Sequence, residues 1–348
     1  MIAPPSAPLR LRLDSAALVA NWRWLAAMSG RAACGAALKA DGYGLGAHAV
    51  SERLAKAGCR DFFVATWAEA AALAPLGEGL SLSVLHGVRA EDMEIALSGS
   101  ARPVLNSPEQ VARWKAAGGG MCDVMVDTGM NRLGVSGEAV GEGLLDGLRV
   151  ATLLSHLACA DEDVAMNAEQ RERFAAIAAG VDAARLSLSN SAGICLGSDY
   201  AFDLTRPGLA LYGGVPRPEA AGHIAQVAYP EAQILQRRRV EAGESVGYGA
   251  SFVAGGPIEV AILNLGYADG YLRGFSGSGR AWADGHALPV LGRVSMDLVA
   301  IDVSTAPALR EGDWLTIDLD LPAAAAQSGL SQYELLTGFG RRFDRVWA

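Results

Sequence analysis

The sequence predicts an α/β chain in which a (β/α)8 barrel is followed by a mostly β C-terminal domain. Three observations carry this expectation. From about residue 33 to 210 one unit keeps repeating, a short apolar run and then an Ala-rich helical stretch. After about Arg217 that patterning gives way to short alternating runs separated by Gly and Pro. The chain has 348 residues, 51% hydrophobic and 19% charged, which suits one large and one smaller domain with filled cores.

The apolar runs of the first region are Cys34–Leu38, Phe62–Thr66, Leu80–Leu85, Arg102–Leu105, Asp123–Val126, Thr152–Ser155, Leu186–Leu188 and Phe202–Thr205. Helical stretches between them include Gly46–Ala57, Trp67–Leu76, Ser107–Ala117 and Ala165–Ala179. Strands buried on both faces and separated by helices form a parallel sheet. Eight of them suggest a closed barrel, although an open doubly wound sheet reads similarly. In the second region the strands are Ala232–Arg238, Ile258–Leu265, Leu288–Leu291, Leu298–Val303 and Trp314–Ile317, with a short helix at Ser331–Thr337. A linker near Pro216–Ala221 divides the chain into a barrel over 8–220 and a β domain over 221–348.

Bulk properties narrow the function. A net charge of −9 disfavours a nucleic-acid or anionic-membrane surface. The five cysteines are scattered and never spaced Cys-x-x-Cys, and no histidine pair has metal-ligand spacing. A disulfide framework and a metal site are therefore not expected. Met1-Ile2-Ala3-Pro4-Pro5 is broken by proline and lacks the order of a secretory signal. The expected address is the cytoplasm.

A barrel enzyme places its working groups at the C-terminal ends of its strands. The first such end reads Leu38-Lys39-Ala40-Asp41-Gly42-Tyr43-Gly44, and the fifth reads Asp127-Thr128-Gly129-Met130-Asn131-Arg132. The sixth ends at His156, the seventh at Asn190-Ser191 and the eighth at Arg206-Pro207-Gly208. A lysine in the first position is commonly only the solvated end of a strand. It also suits a Schiff-base amine, kept neutral by partial burial and cationic neighbours. Tyr43, Asn190, Ser191 and the Pro207-Gly208-Leu209 turn would together donate hydrogen bonds to a phosphate. Arg132, in a glycine-bounded loop, offers a fork of donors to a carboxylate. His156 and Arg206 read equally well as structural groups, but in a closed barrel they come within reach of each other.

These segments resemble the motifs of the bacterial alanine racemase family, a fold-type III group of pyridoxal phosphate enzymes. The likeness starts at Ala37–Gly44 and continues through Val126–Gly134, Ser155–Asp161, Asn190–Ala192 and Arg206–Gly213. In the second region it takes in Val246–Ala250, Gly266–Gly270 and Gly292–Asp297. The resemblance implies pyridoxal 5'-phosphate bound through Lys39, with Tyr43, Ser191, Gly208 and Leu209 at its phosphate and Asn190 beside them. It implies His156 and Arg206 at the cofactor ring, Arg132 at the substrate carboxylate, and Tyr267 and Met296 lining the substrate site. It further implies a two-base reaction, Lys39 on one face of the substrate and Tyr248 of a second copy on the other. Arg206, acting through His156, would favour the phenolate of that tyrosine. The active species would be a homodimer with shared sites, interconverting L- and D-alanine and supplying D-alanine for cell-wall peptidoglycan. A broader-specificity or serine racemase of the same fold is the alternative.

Related classes fit less well. Decarboxylases of similar architecture use a cysteine of the second domain, whereas every cysteine here lies before residue 200. Metal-dependent aldolases or dehydratases need His and Cys ligands late in the chain, and carrier proteins that resemble the barrel alone have no second domain. Two departures from the family stand out. Met125 occupies the position where many members carry a carbamylated lysine that steadies the arginine, so Arg132 should be held by an anion or a polar neighbour instead. The run Gly340–Arg345 lacks a tyrosine that some members place near the phosphate.

Overall fold

The first barrel strand is interrupted at Gly35, and the interruption closes the barrel. In the computed structural model, which describes residues 7–348, the strand is split into Ala33–Cys34 and Ala36–Ala37. A Cβ on Gly35 would lie 2.8 Å from the Asp61 carbonyl oxygen, so only glycine allows this approach. Ala33–Cys34 pairs in parallel with Leu204–Thr205, while Ala36–Ala37 pairs with Asp61–Val64. From there the parallel order runs through Ser81–Val84, Arg102–Leu105, Cys122–Met125, Val150–Leu154 and Ala183–Ser187. Asp203 N–H donates to Leu186 O (3.0 Å) and Arg206 N–H to Ser189 O (2.8 Å), which joins the last two strands. Eight strands thus form a ring. The expectation for Met1–Pro5 lies outside the described residues.

Every second residue of these strands points inward. Phe63, Val104, Met125, Leu154 and Leu204 form a buried central cluster, with Leu85 packed against it. Each contributes about 1.5–3 kcal/mol by leaving water. Two residues earlier on their strands, the floor of the barrel is polar. Asp61 accepts from both terminal nitrogens of Arg185 (3.0 and 2.6 Å) and from Ser81 Oγ (2.7 Å), and Ser83 Oγ donates to Asp123 (2.5 Å).

The outer helices follow their sequence patterns. Ala47–Ala57 buries Ala47, Val50, Ser51 and Leu54, one helical face, and ends at Gly58 with φ 119°. Trp67–Leu73 stops short of the expected Leu76 because Ala74 precedes Pro75, which disfavours helical backbone. The helices Pro108–Ala116 and Ala165–Ala178 lie where expected. A first helix, Ser15–Met28, lies ahead of the repeating region and was not anticipated.

The chain divides into two compact units, 16–225 and 226–348 together with the N-terminal segment before residue 16. The reading that assigned 8–15 to the barrel is thereby corrected. Leu9–Leu13 pairs antiparallel with the long strand Ala228–Val240 and parallel with Asp344–Trp347. Glu231 draws in Arg10 and Arg12 across that pairing, a cross-strand charge contact. The remaining strands of this unit include Ile258–Leu263, Arg280–Ala283, His286–Leu291, Val299–Asp302 and Trp314–Ile317. Among the described residues, no helix is long and apolar enough to cross a membrane.

Candidate active site

Lys39 leaves the first strand where Leu38 N–H donates to Phe63 O (2.7 Å). The chain then turns left-handed through Ala40, Asp41, Gly42 and Tyr43, with φ of 55°, 53°, 63° and 55°. Side-chain-bearing residues reach that region at about 1–2 kcal/mol each, so the turn needs support. Gly42 N–H donates to Leu38 O (2.7 Å), Ala47 N–H to Asp41 Oδ1 (2.8 Å) and Ala40 N–H to Glu69 Oε1 (2.7 Å). Desolvation by the barrel wall, and then the charge of Arg132, hold the Lys39 amine below the usual lysine range. Glu69 pulls the other way.

Beside this turn three residues form a tight cradle. The buried Tyr43 ring stacks on Tyr212, centroids 4.6 Å apart. A Cβ on Gly208 would stand 2.2 Å from Tyr43 Oη, so the tyrosine hydroxyl occupies space that only glycine leaves. Ser191 Oγ accepts from Gly208 N–H (2.9 Å) and Ala210 N–H (3.2 Å), at the start of the short turn Leu209–Tyr212. Asn190 Oδ1 accepts from Gly193 N–H (2.9 Å) and caps the helix Ser191–Cys195. The carbonyl end of Asn190 is therefore committed to the helix.

Arg206 is buried at 6% exposure and, among the described residues, has no direct carboxylate partner. Its guanidinium donates to Ser187 Oγ and to Ser155 O (2.7 Å). Burial lowers its pKa to about 10, opposed by Asp123, so it stays charged at neutral pH. Burial, followed by the charges of Arg206, Arg132 and Lys39, pushes His156 down to about 3. His156 is accordingly neutral under ordinary conditions. Arg206 spends two of its five N–H groups on Ser187 and Ser155, and among the described residues no hydrogen bond joins it to His156. The charge of Arg206 nevertheless acts on His156.

Asp127 shapes the loop that carries Arg132. Its Oδ1 accepts from Gly129 N–H (2.9 Å), Met130 N–H (2.9 Å) and Asn131 N–H (3.2 Å). Gly134, at φ 133°, lets the loop return, since a Cβ there would come 2.5 Å from Asp127 N. Arg132 is exposed and makes no hydrogen bond or ion pair with other described residues. Met125 lies within the apolar cluster of the barrel, as a side chain without a charge to carry can.

The second unit presents the other residues singled out from sequence. Tyr248, 70% exposed, sits in a turn whose Gly249 packs on Arg293, and Met296 is 54% exposed. Tyr267 N–H donates to Ser295 O (3.0 Å) and Ala268 N–H to Met296 O (3.0 Å). Arg342 fastens these loops, holding Asp269 through two contacts (2.6 and 2.8 Å) and Asp297 through one (2.7 Å). Sequence reasoning missed this clamp, since nothing local links residue 342 to 269. It also missed Glu69, although Thr66-x-x-Glu69 is a legible capping box.

A closed (β/α)8 barrel with a lysine, a neutral imidazole and two arginines at its strand ends, followed by a β domain, is the arrangement of a barrel enzyme whose mouth can hold an anionic group such as a carboxylate or phosphate. The alanine racemase N-terminal domain profile matches residues 13–216 and the C-terminal domain profile residues 227–347. The biosynthetic alanine racemase of Agrobacterium fabrum is 42% identical, over 98% of this chain and 94% of its own. The alanine racemase of Acidiphilium cryptum is also 42% identical, over 97% and 98%. Among solved structures, alanine racemase from Bartonella henselae with covalently bound pyridoxal phosphate superposes with a TM-score of 0.90 at 34% identity, covering 99% of this chain and 100% of that one. The chain belongs to the alanine racemase family.

Proposed function

We propose that this protein interconverts L- and D-alanine with pyridoxal 5'-phosphate carried on Lys39, and that its product serves cell-wall peptidoglycan. The observation that carries this reading is the convergence of Lys39, on its strained left-handed turn, with the cradle of Tyr43, Ser191 and Gly208 at one barrel mouth. The cradle suits the cofactor. Ser191 Oγ, which accepts from two backbone amides, keeps its own proton to donate, Tyr43 Oη lies against Gly208, and the Leu209 amide opens the adjoining turn. When bound, the cofactor supplies a carbonyl for covalent attachment and a conjugated ring that takes up the electron pair left on the α-carbon.

The chain's own groups do the rest. A Lys39 amine held below the usual lysine range accepts the α-proton on its face more readily than an ordinary lysine. Tyr248 of a second copy delivers a proton on the opposite face, and the exposure of Tyr248 and Met296 suits residues that another copy covers. Arg132 offers its unengaged guanidinium to the substrate carboxylate. Arg206 donates but cannot accept a proton, so it keeps the ring nitrogen unprotonated and limits reprotonation away from the α-carbon. Replacing Arg206 with Glu is expected to slow racemisation roughly ten- to hundred-fold, the equivalent of one charged hydrogen bond. The same variant should accumulate pyruvate, and its absence over many turnovers would refute the role given to Arg206.

The direct test incubates purified protein with L-alanine or L-serine, with and without added cofactor, and resolves the products on a chiral column. D-alanine should form, faster with cofactor present, and faster than D-serine from its own substrate. Exhaustive removal of carbon dioxide should leave the rate unchanged, because Met125 cannot form a carbamate. No D-alanine from cofactor-loaded protein would sink the reading.

A further inference from the structure

One carboxylate ties together the two loops nearest Lys39. Glu69 lies in the first turn of the helix Trp67–Leu73, where its expected work is to cap that helix with Thr66. It does so, with Glu69 N–H donating to Thr66 Oγ1 (3.2 Å) and Thr66 N–H donating to Glu69 Oε2 (3.2 Å). The same oxygen accepts from Ala65 N–H (2.7 Å), at the exit of the second strand. The other oxygen reaches out of the helix altogether and accepts from Ala40 N–H (2.7 Å), the residue after Lys39. Ala40 is also the first residue of the left-handed turn. Three backbone donors from two separate βα loops thus converge on a single side chain.

We propose that Glu69 is a positioning residue for Lys39: its carboxylate pins the left-handed turn to the mouth of the second strand and stands as the counter-charge beside the amine. Holding the Ala40 amide fixes the orientation of the peptide between Lys39 and Ala40, and with it the direction in which Lys39 departs from the strand. The second half of the role is electrostatic. Glu69 acts on Lys39 from the helix after the second strand, and Arg132 acts from the loop after the fifth. His156, which also feels Lys39, is neutral, and Asp41 on the lysine's own turn is engaged with Ala47 N–H. Glu69 therefore opposes Arg132 and favours the protonated amine.

This inference rests on the reading of Lys39 as the cofactor lysine, and the test separates the two. Cofactor-free wild type, Glu69→Gln, Glu69→Ala and Thr66→Ala are labelled with trinitrobenzenesulfonate across a pH series. Modification at Lys39 is followed by peptide mass spectrometry. Removing the carboxylate charge withdraws support from the protonated amine, so the midpoint for labelling should move to lower pH in Glu69→Gln. Thr66→Ala disturbs the helix cap but leaves the carboxylate, and its midpoint should match wild type. In a second arm each folded protein is mixed with pyridoxal phosphate and covalent attachment is followed by absorbance. Attachment should slow at least about tenfold in Glu69→Ala, with partial recovery in Glu69→Gln, which keeps an acceptor for Ala40 N–H. An unchanged midpoint in Glu69→Gln, or Thr66→Ala shifting as far, overturns the positioning role. If Glu69→Ala does not fold, Glu69→Gln decides alone. Failure of the wild type itself to attach the cofactor at Lys39 would instead count against the cofactor assignment.

Discussion

Lys39→Ala protein will neither racemise alanine nor carry covalently attached cofactor. Loss of a positioned acid–base group alone costs roughly 10²–10⁴-fold in rate. Here the same nitrogen is also proposed to anchor the cofactor, so the two losses combine and turnover should fall below detection. The measurements are chiral product analysis, the visible absorbance of the purified protein, and borohydride reduction followed by peptide mapping of the parent. A coloured Lys39→Ala protein, or a parent whose borohydride-fixed cofactor maps to another lysine, would remove Lys39 from its role. Folding is not at issue, because the turn is supported by Glu69, Asp41 and Leu38 rather than by the lysine side chain.

The second large effect is complementation between two inactive proteins. Tyr248→Phe should be nearly inactive on its own, as should Lys39→Ala. A dimer with one subunit of each would contain one site lacking both bases and one site with both. It should therefore recover about half of the wild-type activity per dimer, as the two-fold symmetry of such an assembly requires. Co-expression with two different affinity tags allows the mixed species to be isolated. If it stays as inactive as its parents, Tyr248 does not work across a subunit boundary. The second unit's surface makes the experiment worthwhile. Tyr248 and Met296 are large side chains left 70% and 54% exposed, and Arg342 holds the neighbouring Tyr267 and Asp297 segments in place.

The barrel was largely legible because its strands are short, mostly apolar runs that alternate regularly with Ala-rich helical stretches. Asp61–Val64 and Ser81–Val84 lie within about one or two residues of the runs that announced them. The break at Gly35 was not legible, since it depends on the Asp61 carbonyl contributed by a different strand. Nor was Leu9–Leu13, whose two partners lie at the other end of the chain. The polar floor of the barrel escaped for a related reason. Asp61, Arg102, Asp123 and Arg185 interrupt apolar runs and look unfavourable one at a time, becoming acceptable only as pairs. At the site, the motifs marked Lys39, Tyr43, Arg132, Ser191, Arg206 and Gly208. Partnership was the part that sequence concealed. Arg206 looked destined for His156 yet bonds Ser187 and Ser155, and Glu69 looked like an ordinary helix cap.

The pairing of Leu9–Leu13 has a consequence for biosynthesis. This strand precedes the barrel in the chain, yet it is hydrogen-bonded on both edges by Ala228–Val240 and Asp344–Trp347, which follow the barrel. The barrel, wholly contained between them, can complete itself while that strand still waits unpaired. During that interval a strand with two open edges and one leucine face is exposed to other nascent chains. Translation that stops before Asp344 would leave a finished barrel attached to a sheet with one edge permanently open, so truncated products should aggregate even when their barrels are sound.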